Sequence, residues 1–326
     1  MEQTKNKIKL VTVGGGNGSA ISLIALKNLL PDIEIKAVIS TSDSGGSSGD
    51  LRREFATLPP GDILRAILAQ APFDYPTLKK IFHSNRFAEN SKLSGHNLGN
   101  LVFVLLEQYA GDFMSAVRAF EEIVQSAGRV YPATLNFTDL AVELSDGSTL
   151  IGETKIDRPF INQTGRIKHA WLSPESEIYS GAATALREAD YIIVGPGSLY
   201  TSVIATMLPR GFDEAVRQSK AKLIFVAGNA YEANGEKGPR DLSESIYEVA
   251  RYLPRKLDIV ICNNHVLSER EKDAYARKGW ATYNFDEDRI RGQVEFISAD
   301  LERVGGGLCP DKLGQIFRKI ISYESC

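Results

Sequence analysis

A β-branched run that ends in a glycine cluster constrains this chain more than any other feature. Residues 8–13 read as a short strand, and Gly14-Gly15-Gly16-Asn17-Gly18 breaks it. Helical periodicity follows over 19–30 and stops at Pro31-Asp32. A second strand is expected over 33–40, then a polar loop over 41–50. Strand, helix, strand in that order predicts a parallel sheet with a right-handed crossover.

The rest of the chain extends that pattern. Helices are expected over 62–71 and 75–82, a strongly apolar and buried one over 98–109, and an amphipathic one over 112–127. Alternating segments over 135–144 and 149–155 flank Asp146-Gly147, a hairpin signal, and 166–171 offers a third antiparallel strand. The stretch near 134–172 therefore reads as a small antiparallel β-insertion. Strands resume over 191–194, 222–227 and 257–262, with helices over 201–208, 241–253, 268–278 and 310–321. The fold class is α/β, one domain over 1–326 with a parallel core.

Bulk composition narrows the partners. With 326 residues and 43% hydrophobic content the chain buries a full core. A net charge of −3 favours neither nucleic acid nor an anionic membrane, so a bound phosphate must be held by local geometry. The three cysteines, Cys262, Cys309 and Cys326, form no CxxC pair and fit a reducing compartment. The polar start and the lack of a long apolar run lead us to expect a cytoplasmic protein.

Several loops that follow strands carry chemistry. Glycines at Gly14, Gly15, Gly16 and Gly18, with Asn17, let backbone amides approach an anion at a helix start. The same run also serves as a plain strand-to-helix turn. Its spacing is neither the dinucleotide fingerprint nor a P-loop, so a nicotinamide-dependent oxidoreductase has only fold analogy in its favour. The loop Asp43-Ser44-Gly45-Gly46-Ser47 is rich in donors and forms either an anion nest or a surface loop. Asp43 stands where a ribose carboxylate would, or where it would hold a divalent ion beside a phosphate.

Gly195-Pro196-Gly197-Ser198 is a second cradle, followed by Tyr200, which stacks on a base or packs, and by hydroxyls at Thr201 and Ser202. Asp62 alone reads as a helix cap. Asn97 and Asn100 share a helix face, and His96 beside them donates to a phosphate or satisfies its loop. Asn229 ends a later strand, and Arg52-Arg53 offers charge for a diphosphate or a solvated face.

In this order, Gly14 to Gly18, Gly45-Gly46-Ser47-Ser48-Gly49 with Leu51-Arg52-Arg53, Pro59-Pro60-Gly61-Asp62, Gly95-His96-Asn97 through Asn100-Leu101, and Gly195 to Ser202 resemble the bacterial gluconeogenesis factor family. That family is related to the 2-phospho-L-lactate transferase of the coenzyme F420 pathway. The resemblance implies a Rossmann-like three-layer fold, homo-oligomers, and binding of a nucleotide or nucleotide-sugar diphosphate of the UDP-N-acetylglucosamine kind. It also implies a role in cell shape and cell-wall synthesis during gluconeogenic growth.

From the transferases it carries over Mg²⁺ as the cofactor, with Asp43 and Asp62 at the metal-holding and catalytic positions. Two departures stand out. Ser44 replaces one of two adjacent acids usual in the gluconeogenesis factors, and Lys237-Gly238-Pro239 is closer to the transferase branch. Two functions follow: a nucleotide-sugar-binding regulator, or a Mg²⁺-dependent transferase of a phospho-group from a nucleoside diphosphate.

Overall fold

A computed structural model describes residues 7–88, 92–158, 165–290, 292 and 294–323. The first strand, β1 (Ile8–Gly14), is followed by α1 (Gly16–Lys27) and β2 (Ile33–Ile39). Then come α2 (Gly46–Phe55), α3 (Gly61–Gln70), α4 (Tyr75–Lys79), α5 (Leu98–Ala110) and α6 (Phe113–Ile123). Next are β3 (Arg129–Pro132), β4 (Asp139–Leu144), β5 (Thr149–Ile151), α7 (Glu153–Asp157) and β6 (Ile167–Ser173). The later strands are β7 (Tyr191–Val194), β8 (Lys222–Val226), β9 (Ala230–Glu232), β10 (Ile259–Asn263), β11 (Trp280–Thr282) and β12 (Glu295–Ala299).

Seven strands form one sheet in the order β12-β10-β8-β7-β1-β2-β3, and every neighbouring pair is parallel. A parallel strand is covered on both faces, so its side chains are apolar in both directions. Leu10 of β1 joins a core with α1, α3, α6 and the C-terminal helix Pro310–Tyr323. Val11 and Val13 join the opposite core, with the helices Ser180–Arg187, Phe212–Gln218 and Leu242–Arg251. The expected parallel core is therefore present as three layers. The expected insertion is a three-stranded antiparallel sheet, β5-β4-β6, turned at Gly147 with φ +83°. Residues 159–164 of that insertion, like Cys326, lie outside the described residues.

Local expectations are corrected in five places. The polar loop over 41–50 winds into α2 from Gly46 onward, because Gly49 and Leu51 are buried and fix the turn by packing. The alternating segment over 149–155 stops at Ile151 and turns at Gly152, φ +98°, into α7. The helix over 75–82 changes at Lys79 to a π turn, Lys80–Ser84. The helix over 201–208 starts at Leu199, also as a π turn. Finally, α5 is only half covered: Phe103 is buried, whereas Leu105 is 64% and Tyr109 94% exposed. Among the described residues no helix is long and apolar enough to cross a membrane.

Candidate ligand-binding site

The order of strands fixes where a ligand belongs. From the adjacent pair β1 and β7 the chain proceeds outward to β2 and β3 on one flank and to β8, β10 and β12 on the other. Loops that leave the carboxyl ends of β1 and β7 thus part to opposite faces, and a crevice opens between them. A cavity of about 360 Å³ fills it. Its floor is the first turn of α1, Gly16 to Gly18, facing Pro196, Gly197 and Ser198 after β7.

The two loops are locked together. Ser22 donates to the Gly195 carbonyl at 2.9 Å, and the Gly195 amide donates to Val13 at 2.9 Å. A Cβ on Gly18 would stand 2.3 Å from the Pro196 carbonyl oxygen, so only glycine permits that approach.

The wall above this floor is acidic. Asp43 leaves β2, accepts from the Gly45 amide at 2.7 Å, and accepts a hydrogen bond from the carboxyl of Glu153 on α7. Burial and then Asp62 push the Asp43 carboxyl up, and burial and then Asp43 push Glu153 well up. Asp157, one turn along α7, is raised to about 7 by burial and by Glu236. Glu236, also raised by burial, accepts from the amides of Tyr200 at 3.1 Å and Thr201 at 2.6 Å. That carboxylate therefore covers the helix start that the second cradle was expected to offer an anion.

Asp62 does not cap α3, as its position suggested: Pro60 holds the cap position, and Asp62 lies inside the first turn with its oxygens turned to other partners. It accepts from the Gly16 amide at 2.7 Å and from Arg65 at 2.5 Å, joining α3 to the floor. Asn229, after β8, borders the cavity and is held by Tyr275 at 2.8 Å and Glu302 at 2.9 Å. Arg240, Tyr231, Trp280 and Tyr283 form an aromatic side with one more cation.

The structure thus brings together at one cavity Gly16, Asn17, Gly18, Asp43, Asp62, Pro196, Gly197, Ser198 and Asn229. Gly14, Gly15 and Gly195 support it from behind as backbone. Ser44 borders a separate shallow groove with Arg52 and Arg53, and Arg52 pairs with Asp139 at 2.7 Å. Gly45 and Gly46 open α2, and the side chain of Ser47 lies outside the described residues. His96, Asn97 and Asn100 do not line the cavity: Asn97 caps α5 by accepting from the Asn100 amide at 2.7 Å, and all three are buried. Tyr200 is packed, its hydroxyl donating to Glu248 at 3.0 Å.

Glu153, Asp157, Glu236 and Arg65 were not found from the sequence. Glu153 falls in the segment 149–155 that reads as strand, Asp157 lies just beyond it, and none belongs to a spaced motif. An acid spacing of four, Glu153 to Asp157, is the signal that a helical reading of that segment would have offered.

The family model for 2-phospho-L-lactate transferase CofD matches residues 10–302. A Thermotoga maritima protein named as a gluconeogenesis factor is 37% identical over 287 residues, 88% of each chain. The gluconeogenesis factor of Bacillus subtilis is 32% identical over 287 residues, 87% of this chain and 88% of its own. A crystal structure from Bacillus halodurans superposes with a TM-score of 0.86 at 30% identity, covering 95% of this chain and 99% of that one. With a match of that extent and relatives this similar over most of their length, the chain belongs to the CofD family, alongside the bacterial gluconeogenesis factors.

Proposed function

We propose that the chain binds the diphosphate of a nucleotide or nucleotide-sugar at this cavity, together with a divalent cation. The observation that carries the proposal is the Asp43–Glu153 carboxyl pair facing the glycine floor across one crevice. Amides at a helix start attract phosphate, whereas carboxylates repel it. A hard cation between them reconciles the two.

The donors suit Mg²⁺. Asp43 and Glu153 offer only oxygen donors, the ligand type a hard cation prefers. Among the described residues no three acidic, histidine or cysteine side chains form a complete metal cage. Mg²⁺ asks for no such cage, since it commonly takes one or two carboxylates and completes its shell with water and substrate phosphates. Bound there, it would neutralise diphosphate oxygens. Asp62 would orient the floor through Gly16, and Arg65 and Arg240 would supply further positive charge. Tyr231, Trp280 and Tyr283 suit the sugar or base.

The assigned relatives carry the gluconeogenesis-factor name, and we place this binding in the control of cell shape and cell-wall synthesis during gluconeogenic growth, in a cytoplasmic homo-oligomer. A second reading, Mg²⁺-dependent transfer of a phospho-group from a nucleoside diphosphate donor, gains from Glu153, which supplies the second acid absent at Ser44. In that reading Asp43 and Asp62 lie beside the donor.

Thermal shift tests the proposal with UDP-N-acetylglucosamine, UDP-glucose, GDP, NAD⁺ and NADP⁺, each with and without Mg²⁺. A selective shift strengthened by Mg²⁺ is expected, worth about 2.7 kcal/mol at 100 times Kd. No shift with any of the five overturns it. Release of a nucleotide product when an acceptor is added would move the assignment to the transferase.

A further inference from the structure

The outer flank of α1's first turn carries a group of cations of which diphosphate binding uses only Arg65. While Gly18 abuts Pro196, Asn17 meets α4: its side-chain oxygen accepts from Lys79 at 2.7 Å. Around that contact, cations from three elements converge. Arg65 comes from α3, Lys79 from α4, and Arg303 from the turn before the C-terminal helix. Arg303 donates to the Gly306 carbonyl at 2.9 Å, next to Gly307 of the cavity wall.

Arg65 and Arg303 both act electrostatically on Lys79 and on Tyr75. The Lys79 ammonium is pushed down by burial and then by those two guanidiniums. His83 Nε2 accepts from Arg65 at 2.9 Å, and burial and the surrounding cations hold its ring down to about 3, so it stays neutral. Asp62 is the carboxylate that answers this group, through Arg65.

Two buried polar atoms at the same place have no partner among the described residues: Arg65 Nε and the Tyr75 hydroxyl. A buried donor without an acceptor costs about 1–3 kcal/mol, more when charged. Three cations answered by the single carboxylate of Asp62, with two orphaned donors beside a helix start, make a place that favours an anion.

We propose that Arg65, Tyr75, Lys79 and Arg303 form a seat for a phosphate-type oxyanion, separate from the diphosphate floor and across Asn17 from it. A guanidinium fork, an ammonium and a phenol match the several oxygens of a phosphate monoester. The ligand class is a phosphorylated small molecule, or the terminal phosphate of a larger one; of the four residues only Arg65 also lines the nucleotide cavity. The seat stands on its own observations and does not require the nucleotide assignment.

Titration with inorganic phosphate by calorimetry, without nucleotide or Mg²⁺, tests it. Saturable binding is expected to weaken by about tenfold or more in Lys79→Ala and Arg303→Ala, the loss of one charge-assisted hydrogen bond. Tyr75→Phe keeps the ring and the fold and should weaken it severalfold. Lys80→Ala, an exposed neighbour on the same segment, should stay within about twofold. Absent binding, or binding that all four variants share equally, overturns the seat. Malonate binding more tightly than phosphate, with the same sensitivity to the variants, overturns the phosphate assignment in favour of a carboxylate. Nucleotide shifts measured in parallel keep the two proposals apart, since either can fail while the other stands.

Discussion

Asp157 shows how much a residue's meaning depends on where the chain folds it. In sequence it is one acid among 41, and in the structure it accepts from Thr201 at 3.0 Å while facing Glu236. Its carboxyl rises from 3.8 to about 7, through burial and then that neighbour. The folded chain therefore keeps a proton that the unfolded chain releases between those two values. Stability from this group is complete below pH 3.8, is lost as pH rises through about 7, and is flat above that. We expect Asp157→Asn, which retains the Thr201 contact, to shrink the fall in urea midpoint between pH 5 and pH 8. An unchanged slope would show that the acid is ionised throughout. At this scale Asp62 alone reads as a helix cap and entered only through the family resemblance, whereas the glycine floor and Asp43 were legible, because each follows a strand. Glu153 and Glu236 were not, because they reach the cavity from segments more than 90 positions away from Asp43 and the floor glycines along the chain. No local pattern encodes a meeting that only the sheet's strand order brings about.

Elements were legible in proportion to how far their own sequence determines them. The strands at the centre, β1, β2, β7, β8 and β10, are β-branched runs that end in turn residues. The edge strands β3 and β12 lack that signature: one is four residues ending in proline, the other is only partly buried along its length. The clearest contrast is α2, whose Gly-Ser-Ser-Gly start has weak helical preference. Tertiary contacts form it instead, including the Arg52–Asp139 ion pair with β4. Gly49 makes the point testable. In an ordinary helix Gly→Ala stabilises by about 0.5–1 kcal/mol. At Gly49 a Cβ would stand 2.3 Å from the Ser44 carbonyl oxygen. Gly49→Ala is therefore expected to destabilise by about 1–3 kcal/mol in urea unfolding, the usual scale of overpacking. Equal or greater stability would mean that the loop before α2 is free to yield.

At the scale of the whole molecule, the site works against the fold that builds it. Seven parallel strands place their carboxyl ends on one edge, and the divergence of β1 and β7 leaves a crevice that the core does not fill. Into it the chain projects Asp43, Glu153, Asp157 and Glu236, all with carboxyls pushed up by burial. Buried like charges destabilise the free protein, and a protein keeps such a cluster where function gains from it. Glu153→Gln separates the two effects, since an amide can still donate to Asp43 without adding a charge. Without ligand, the variant should unfold at a higher urea midpoint than the wild type near pH 8, where the carboxylates repel most. With nucleotide present, the extra stabilisation that Mg²⁺ gives the wild type should disappear from the variant. Gain of apo stability with loss of the Mg²⁺ increment would identify the pair as a cation site held ready at a cost to the fold. Loss of both would instead make Glu153 a structural residue, its hydrogen bond to Asp43 being what holds α7 against β2.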